Sequence, residues 1–442
     1  MIYGGDGLAR LPADESPSEK QGRGKAVFVP FVLEGEKIEA RLTEQKPGFA
    51  RAAAAGILEP SPHRVQPACP YFTRCGGCHY QHTTYEHQLQ LKKDILRETL
   101  RRTAKLDLPC EIQLHPSPPW NYRNRSRLQL RTKPEFILGY FKPASQEVLA
   151  VEQCPISSPL INRAIAAVWQ LGSAGSVPDG IRELEFFANS EDSQLLVELG
   201  CASDVRRASV RSFAEELRAT LPEIAGVVAF REQKPGSAGR QGKILSAGVE
   251  HLNYTISRAA FRVTAGAFFQ TNRHLIDELV RIVTQGESGD VALDLYAGVG
   301  LFSAPLARDF RHISSVESSH LSTGDLSYNL PSNGEAVQAT TEQYLARGEN
   351  SGRVGKGAVL PHTSYRPDLA VVDPPRTGLG EKVARLLVML GAPRITYVSC
   401  DPATLARDLV ILFAAGYQVK QAHLIDLFPQ TYHLESVLKL ER

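Results

Sequence analysis

"VALDLYAGVGLFSAPLA", residues 291–307, is the stretch whose reading decides the fold. A short apolar run ends at Asp294, Gly298 and Gly300 follow, and "LFSAPLARDF" then reads as a helix. A strand that turns through Gly-x-Gly into a helix lets the backbone approach a ligand closely at the carboxyl edge of a parallel sheet. Glu317 lies 23 residues after Asp294, at the end of the next strand-like run, "HISSVE", where an acid can accept both hydroxyls of a ribose. From Phe268 onward the chain alternates helix and strand: "NRHLIDELVRIVTQ", "VALDLY", "HISSVE", "LAVVDPP", "ITYVSC" and a final "LESVLKLE". That order predicts a parallel α/β sheet.

The diphosphate fingerprint G-x-G-x-x-G is not completed, because Ser303 stands at its third glycine. D-x-x-x-G-x-G is instead the usual opening of S-adenosylmethionine methyltransferases, and a dinucleotide is the weaker reading. "VVDPPRTGL", 371–379, closes a later strand with Asp373 and two prolines, a stiff edge suited to a flat base or to the charged amino-acid end of the cofactor. "YVSCDPATLA", 397–406, places Cys400 at a strand-to-helix turn. Cysteine is as a rule a small buried hydrophobe. A thiol at a helix N-terminus, however, is expected to ionise more easily.

The chain has 442 residues, enough for about three domains at ~150 residues each. Hydrophobic residues at 43% and charged residues at 22% allow a sizeable core. No run approaches the ~20 apolar residues of a membrane helix, and the N-terminus lacks a signal-peptide layout, so a cytoplasmic chain is expected. The net charge of +2 excludes little, but its distribution is uneven. Between Leu91 and Arg131 ten Lys or Arg stand against four acids, an excess of six. "NYRNRSRLQLR" alternates, so one strand face is expected to carry Arg123, Arg125, Arg127 and Arg131 toward RNA phosphates.

The first sixty residues show short strand-like runs broken by Gly and Pro, a small β module. An amphipathic helix is expected over Tyr85–Arg102, and "KPGSAGRQGK", 234–243, reads as a hairpin tip. Seven cysteines, an odd number, argue against a disulfide framework. Cys69, Cys75 and Cys78 are spaced C-x5-C-x2-C, as ligands of an ion or cluster are. Cys154 is a candidate fourth ligand, with Cys110 and His79 as alternatives. Zinc and an iron–sulfur cluster both fit that spacing.

Taken together, "GKAVFVPFVLEGE", "CPYFTRCGGCHYQH", "VEQC", "FFQTN", "DLYAGVGLFS", "VVDPPRTGL", "YVSCDPATLARDL" and "DLFPQTYHLESVLKL" resemble the RNA uracil-C5 methyltransferases, in their iron–sulfur-containing branch acting on 23S rRNA. The resemblance runs nearly end to end. It implies a TRAM-like β-barrel over residues 1–58, its first strand missing or shortened because the chain opens at "MIYGGDGLARL". It implies a central α+β RNA-binding domain over 59–262, with a 4Fe–4S cluster on Cys69, Cys75, Cys78 and Cys154. A Rossmann-like class I methyltransferase domain would follow over 263–442. S-adenosylmethionine would contact Gln270, Tyr296, Leu301, Glu317 and Asp373, with a further contact near Glu342 or Gln343. Ala297 and Leu301 replace more polar choices common in the Gly loop. Cys400 would be the nucleophile and Glu435 the base, on a uridine of 23S rRNA or alternatively of tRNA. The chain would act as a monomer, with RNA as partner and no membrane. An amino-methylating enzyme would need neither the Cys-Asp-Pro turn nor the terminal acid. An RNA-binding iron–sulfur sensor with a degenerate catalytic domain would have no reason to keep both with the Gly loop.

Overall fold

The computed structural model describes residues 1–11, 24–232, 242–257, 259–350 and 366–442. Most of the expected hairpin tip at 234–243 lies outside the described residues.

The catalytic layer is an eight-stranded sheet. Its order is Gly334–Gln338, Phe310–Glu317, Gly289–Leu295, Leu369–Val372, Arg394–Ser399, Glu435–Glu441, Gln418–Ile425 and Ile112–His115. The first five strands are parallel, and Glu435–Glu441 runs antiparallel to both its neighbours. These strands are buried on both faces, which explains why "LAVV" and "ITYV" are continuous apolar runs rather than alternating ones. From Gly289–Leu295 the chain first builds outward to Gly334–Gln338, then returns to lay down Leu369–Val372 on the other side. The sheet therefore has a topological switch point between Leu295 and Val372, where open α/β sheets hold their ligands.

The last strand of this sheet, Ile112–His115, comes from the segment that sequence assigned to the middle domain, and so does helix Tyr85–Thr99. The reason is packing: Ile95, Leu96, Leu100 and Ile112 share a core with Leu405, Leu409 and Leu424. That stripe on an amphipathic helix shows burial, but it does not name the partner.

The central sheet has seven strands, in the order Lys243–Gly248, Ile224–Arg231, Leu195–Cys201, Ile181–Ala188, Arg125–Arg131, Ile137–Phe141 and Val148–Ala150. Helices Pro159–Ser173 and Arg207–Thr220 cover one face. The first of these starts at Ser158, whose Oγ accepts from Ile161 N at 3.3 Å, with Pro159 at the first helical position. Phe187, Leu196, Val228 and Phe230, from the other face, share a core with the hairpin His251–Ile256/Ala259–Thr264 and with the catalytic layer.

The N-terminal sheet has the order Asp6–Arg10, Ala26–Pro30, Phe49–Glu59 and Lys37–Gln45, over a small core of Val27, Val29, Val32, Ala50 and Ala52. Its first strand is only five residues long and pairs antiparallel with the second.

The basic stretch differs from its expected reading. Lys92 is fully buried in an ion pair with Asp426 at 2.6 Å. Arg101 and Arg102 both pair with Glu98, and Lys93 pairs with Glu111. On strand Arg125–Arg131 the alternation holds, with Ser126, Leu128 and Leu130 inward. Yet Arg125 donates to Ala267 O at 2.8 Å and lies 4.6 Å from the Phe187 ring, and Arg127 pairs with Glu185. Arg123 precedes the strand and turns inward. Asp426, Glu183 and Glu185, from elements outside the stretch, absorb part of the local excess of positive charge.

Candidate active site

Tyr296, Gly298 and Gly300 all have positive φ, at 67°, 57° and 93°. Glycine takes such angles freely, and a Cβ on Gly298 would meet nothing within 4 Å, so open space lies over the turn. Gly298 N donates to Glu317 Oε2 at 3.0 Å, and Ser319 N donates to Glu317 Oε1 at 2.6 Å. The strand-end acid is thus held beside the turn by backbone N–H groups. Beneath it Asp294 is fully buried, bonded to Ser303 Oγ, while its Oδ1 has no partner. Ser303, which displaces the third glycine of the dinucleotide pattern, is the residue that holds Asp294.

On the other side of the switch point Asp373 N donates to Leu295 O at 3.4 Å. Burial pushes the Asp294 carboxyl up to about 7, and burial together with Asp294 does the same to Asp373. Glu435 is also raised, by burial first and then by Asp373, with Arg376 opposing. Ser399 is registered opposite Ser436, which brings Cys400 at the strand end across from Glu435. Asp294, Asp373, Glu435 and Cys400 thus form an acidic line that burial and mutual repulsion hold toward its protonated forms and that a nearby positive charge would help to ionise. Such a line suits a cation, as the sulfonium and α-ammonium of S-adenosylmethionine are.

Cys400 does not ionise easily in this state. Burial, then Glu435 and Asp373, push its thiol up to about 12, and Arg376 opposes them. The expected help from the helix is spent elsewhere: Asp401 caps helix Pro402–Ala414, accepting from Ala403 N and Thr404 N at 3.0 Å. Its carboxylate faces the positive end of the dipole that was expected to act on the thiol.

Sequence reasoning missed several residues here. Arg376, inside the quoted "DPPRTG", lies 2.8 Å from His433 Nδ1, and burial with Arg376 holds that imidazole down to about 3. A cation next to a Pro-Pro turn was the available signal. Tyr3 OH donates to the Cys400 carbonyl at 3.3 Å, a contact across the whole chain that no local pattern announces. Asp408 accepts from Leu379 N at 2.7 Å and from Tyr397 OH at 2.8 Å, fixing the Pro-Pro turn to the Cys400 helix.

The remaining expected contacts are dispersed. Leu301 is buried in one core, and the half-buried Tyr296 packs against the other. Gln270 is buried beside Phe269. Glu342 pairs with Lys382 at 2.7 Å, and Gln343 accepts from Thr340 N at 3.1 Å as a helix-start contact.

Cys69, Cys75, Cys78 and Cys154 line one cavity of about 60 Å³, together with Gln81, Arg123 and Tyr140. Cys110 and His79 are not part of that lining. Burial raises all three clustered thiols, Cys75 to about 11 and Cys78 to about 12, and the neighbouring thiols add to it. Among the described residues no three His, Cys, Asp or Glu side chains converge closely enough to grip a single metal ion. Arg123 lines the cavity with its Nε unpartnered, and among the described residues no carboxylate pairs with it.

Comparison with known proteins agrees with this geometry. Residues 84–442 match the family described as tRNA (Uracil-5-)-methyltransferase, and residues 3–55 match the TRAM domain. An uncharacterized RNA methyltransferase of Aquifex aeolicus is 32% identical over 100% of this chain and 96% of its own. One of Streptomyces avermitilis is 33% identical over 100% of this chain and 96% of its own. Among solved structures, the Pyrococcus abyssi tRNA (uracil-54, C5)-methyltransferase in complex with S-adenosyl-L-homocysteine has the same fold. Its TM-score is 0.71 at 22% identity, covering 98% of this chain and 100% of that one. Among the described residues no helix is long and apolar enough to cross a membrane. The chain therefore belongs to the tRNA (uracil-5-)-methyltransferase family and is an S-adenosylmethionine-dependent RNA (uracil-C5) methyltransferase with an N-terminal TRAM domain.

Proposed function

We propose that the chain methylates C5 of a uridine in 23S rRNA, with Cys400 as nucleophile and Glu435 as base. The observation that carries the chemistry is the pairing of Cys400 across from Glu435 beside the acidic line that ends at Asp294. The choice of 23S rRNA rests on the likeness of the cysteine segment to the iron–sulfur branch, and tRNA is the alternative.

Bound S-adenosylmethionine supplies an electrophilic methyl group. Glu317 would take its ribose hydroxyls, Asp294 and Asp373 would face its positive charge, and Gln270 and the backbone at Tyr296 and Leu301 would complete the site. C5 of uracil is a poor nucleophile until a thiolate adds to C6. The Cys400 sulfur forms the C6–S bond, and the C5=C6 electrons move to the C4 oxygen, giving an enolate. The enolate electrons then form the C5–CH3 bond as the C4 carbonyl is restored, the sulfonium–methyl bond breaking so that neutral S-adenosylhomocysteine would leave. The Glu435 carboxylate takes the C5 proton, the C5=C6 bond re-forms, the C6–S bond breaks, and the thiolate is returned. Burial is the main cause that keeps Cys400 and Glu435 protonated; Arg376 opposes it at both, and a cation beside Asp373 would offset that carboxyl's share.

The four thiols would hold a 4Fe–4S cluster. Thiolates about 2.3 Å from one zinc ion would stand roughly 3.8 Å apart. These stand around a cavity instead, which suits a larger, multi-atom group. The unpaired Arg123 suits an anionic one, as thiolate-ligated clusters are.

RNA tritiated at C5 tests the reaction, since only C5 methylation releases that tritium. Mapping of methylated uridines in rRNA and tRNA from a deletion strain separates the two substrates.

A further inference from the structure

Glu435 is buried, and among the described residues its carboxylate makes no hydrogen bond. Its position is therefore set by its backbone: strand pairing on one side and the loop Asp426–His433 on the other. Beyond the bonds of Asp426 N to His115 O and Leu427 N to Ile425 O, that loop is tied down by residues outside the catalytic sheet. Lys92 Nζ donates to Phe428 O at 2.9 Å, Tyr122 OH to Pro429 O at 3.0 Å, and Asn272 Nδ2 to Leu427 O at 3.1 Å.

The tightest knot is at Gln430, which is buried with a φ of 67°. His79 N and Tyr80 N, the two residues directly after Cys78, donate to its carbonyl at 2.8 and 2.9 Å. Gln88, on helix Tyr85–Thr99, closes the other side. Its Oε1 accepts from Gln430 N at 3.0 Å, and its Nε2 donates to Gln430 Oε1 at 3.0 Å and to Tyr80 O at 3.1 Å. One buried amide thus ties the cysteine segment and the loop before the base into a single unit.

We propose that Gln88 is a positioning residue for Glu435, and that the clamp it forms with Gln430 makes proton removal at C5 depend on the order of the Cys78 segment. The proposal rests on the roles given above to Cys400 and Glu435. Cys400 lies just past the end of a different strand, with its own cap at Asp401, and the loop touches its surroundings through His433 on Arg376 and Tyr432 on Tyr3 rather than through Gln430, so loosening the clamp at Gln430 is expected to leave addition to C6 largely intact. It slows only the later step, in which the C5 proton goes to Glu435 and the C6–S bond breaks. A misplacement of about 1 Å in a reacting group can cost about 100-fold in rate.

The test compares Gln88→Leu, Cys78→Ser and Glu435→Gln with the wild-type protein, using S-adenosylmethionine and RNA tritiated at C5. Three quantities are followed: denaturation-stable protein–RNA adduct, tritium release and bound iron. Gln88→Leu is expected to keep wild-type iron and to form adduct at the wild-type rate, but to release tritium at least about tenfold more slowly. Cys78→Ser, without iron, is expected to accumulate adduct in the same way. A Gln88→Leu protein that releases tritium at the wild-type rate overturns the clamp, and so does one that folds but forms no adduct. If Gln88→Leu does not fold, Cys78→Ser decides by the same two outcomes. Failure of Glu435→Gln to accumulate adduct overturns the underlying mechanism instead of the clamp.

Discussion

The protein holds two partly buried thiol sites, the lone Cys400 and a cluster of four, whose charged neighbours differ in sign. Cys400 stands among acids: Glu435 and Asp373 press on it, Asp294 lies behind them, and Arg376 is the cation that opposes. Cys69, Cys75, Cys78 and Cys154 stand around a guanidinium, Arg123, that no carboxylate among the described residues neutralises. Burial raises the thiols in both places. What differs is the charge left uncompensated, and it indicates what each cavity accepts: a cation at the acidic line, an anion beside the guanidinium.

The largest expected effect comes from removing Arg123, because its sign depends on what the cavity holds. With an anionic cluster bound, Arg123→Met should destabilise the protein by about 3–5 kcal/mol. With the cluster removed, the same substitution deletes an unpaired buried cation and should leave stability unchanged or raised. Thermal unfolding of both forms checks this, and an equal loss in both would mean that Arg123 serves packing alone. Cys75→Ser should bleach a brown protein. A colourless wild type that carries stoichiometric zinc after anaerobic purification would break the comparison at its second half.

A smaller effect is expected at the cofactor's ribose. Glu317→Ala should weaken S-adenosylmethionine binding by roughly 1.5–3 kcal/mol, or about one to two decades in affinity. Calorimetric titration reads this, while RNA binding should be unchanged.

A further expectation concerns pH. Asp294 and Asp373 are held up near 7 in the folded chain, above the ordinary range of a carboxyl group. The folded state therefore binds more protons than the unfolded one, and stability should fall as pH rises from about 4 to about 7, then level off. A cationic cofactor favours the ionised acids, so its thermal shift should be larger at pH 8 than at pH 5. A pH-independent shift would remove the acids from the cofactor site.

The sequence carried the switch-point turn well, because Gly298, Gly300 and Glu317 follow from backbone angles and strand spacing. The strand-end placement of Cys400 and Glu435 was also legible, since both lie at the ends of apolar strand runs. The ionisation of Cys400 was not, because Asp401 faces the helix end and Glu435 and Asp373 arrive from two other strands. Arg123 looked like one more member of an alternating basic row. Alternation shows that a side chain leaves a strand on one face, but not whether water or a cavity lies there. Lys92 was hidden for a similar reason, since its partner Asp426 is 334 residues away. Likewise, Ile112–His115 joins the catalytic sheet only through a strand that ends at Ile425.

The central claim is that Cys400 and Glu435 act at different stages of one covalent cycle. Denaturing electrophoresis of protein mixed with S-adenosylmethionine and substrate RNA tests it most directly. Glu435→Gln should accumulate an adduct with the methyl group already attached, and Cys400→Ala should form none. Turnover of Glu435→Gln at the wild-type rate, or an adduct that survives Cys400→Ala, would contradict the account.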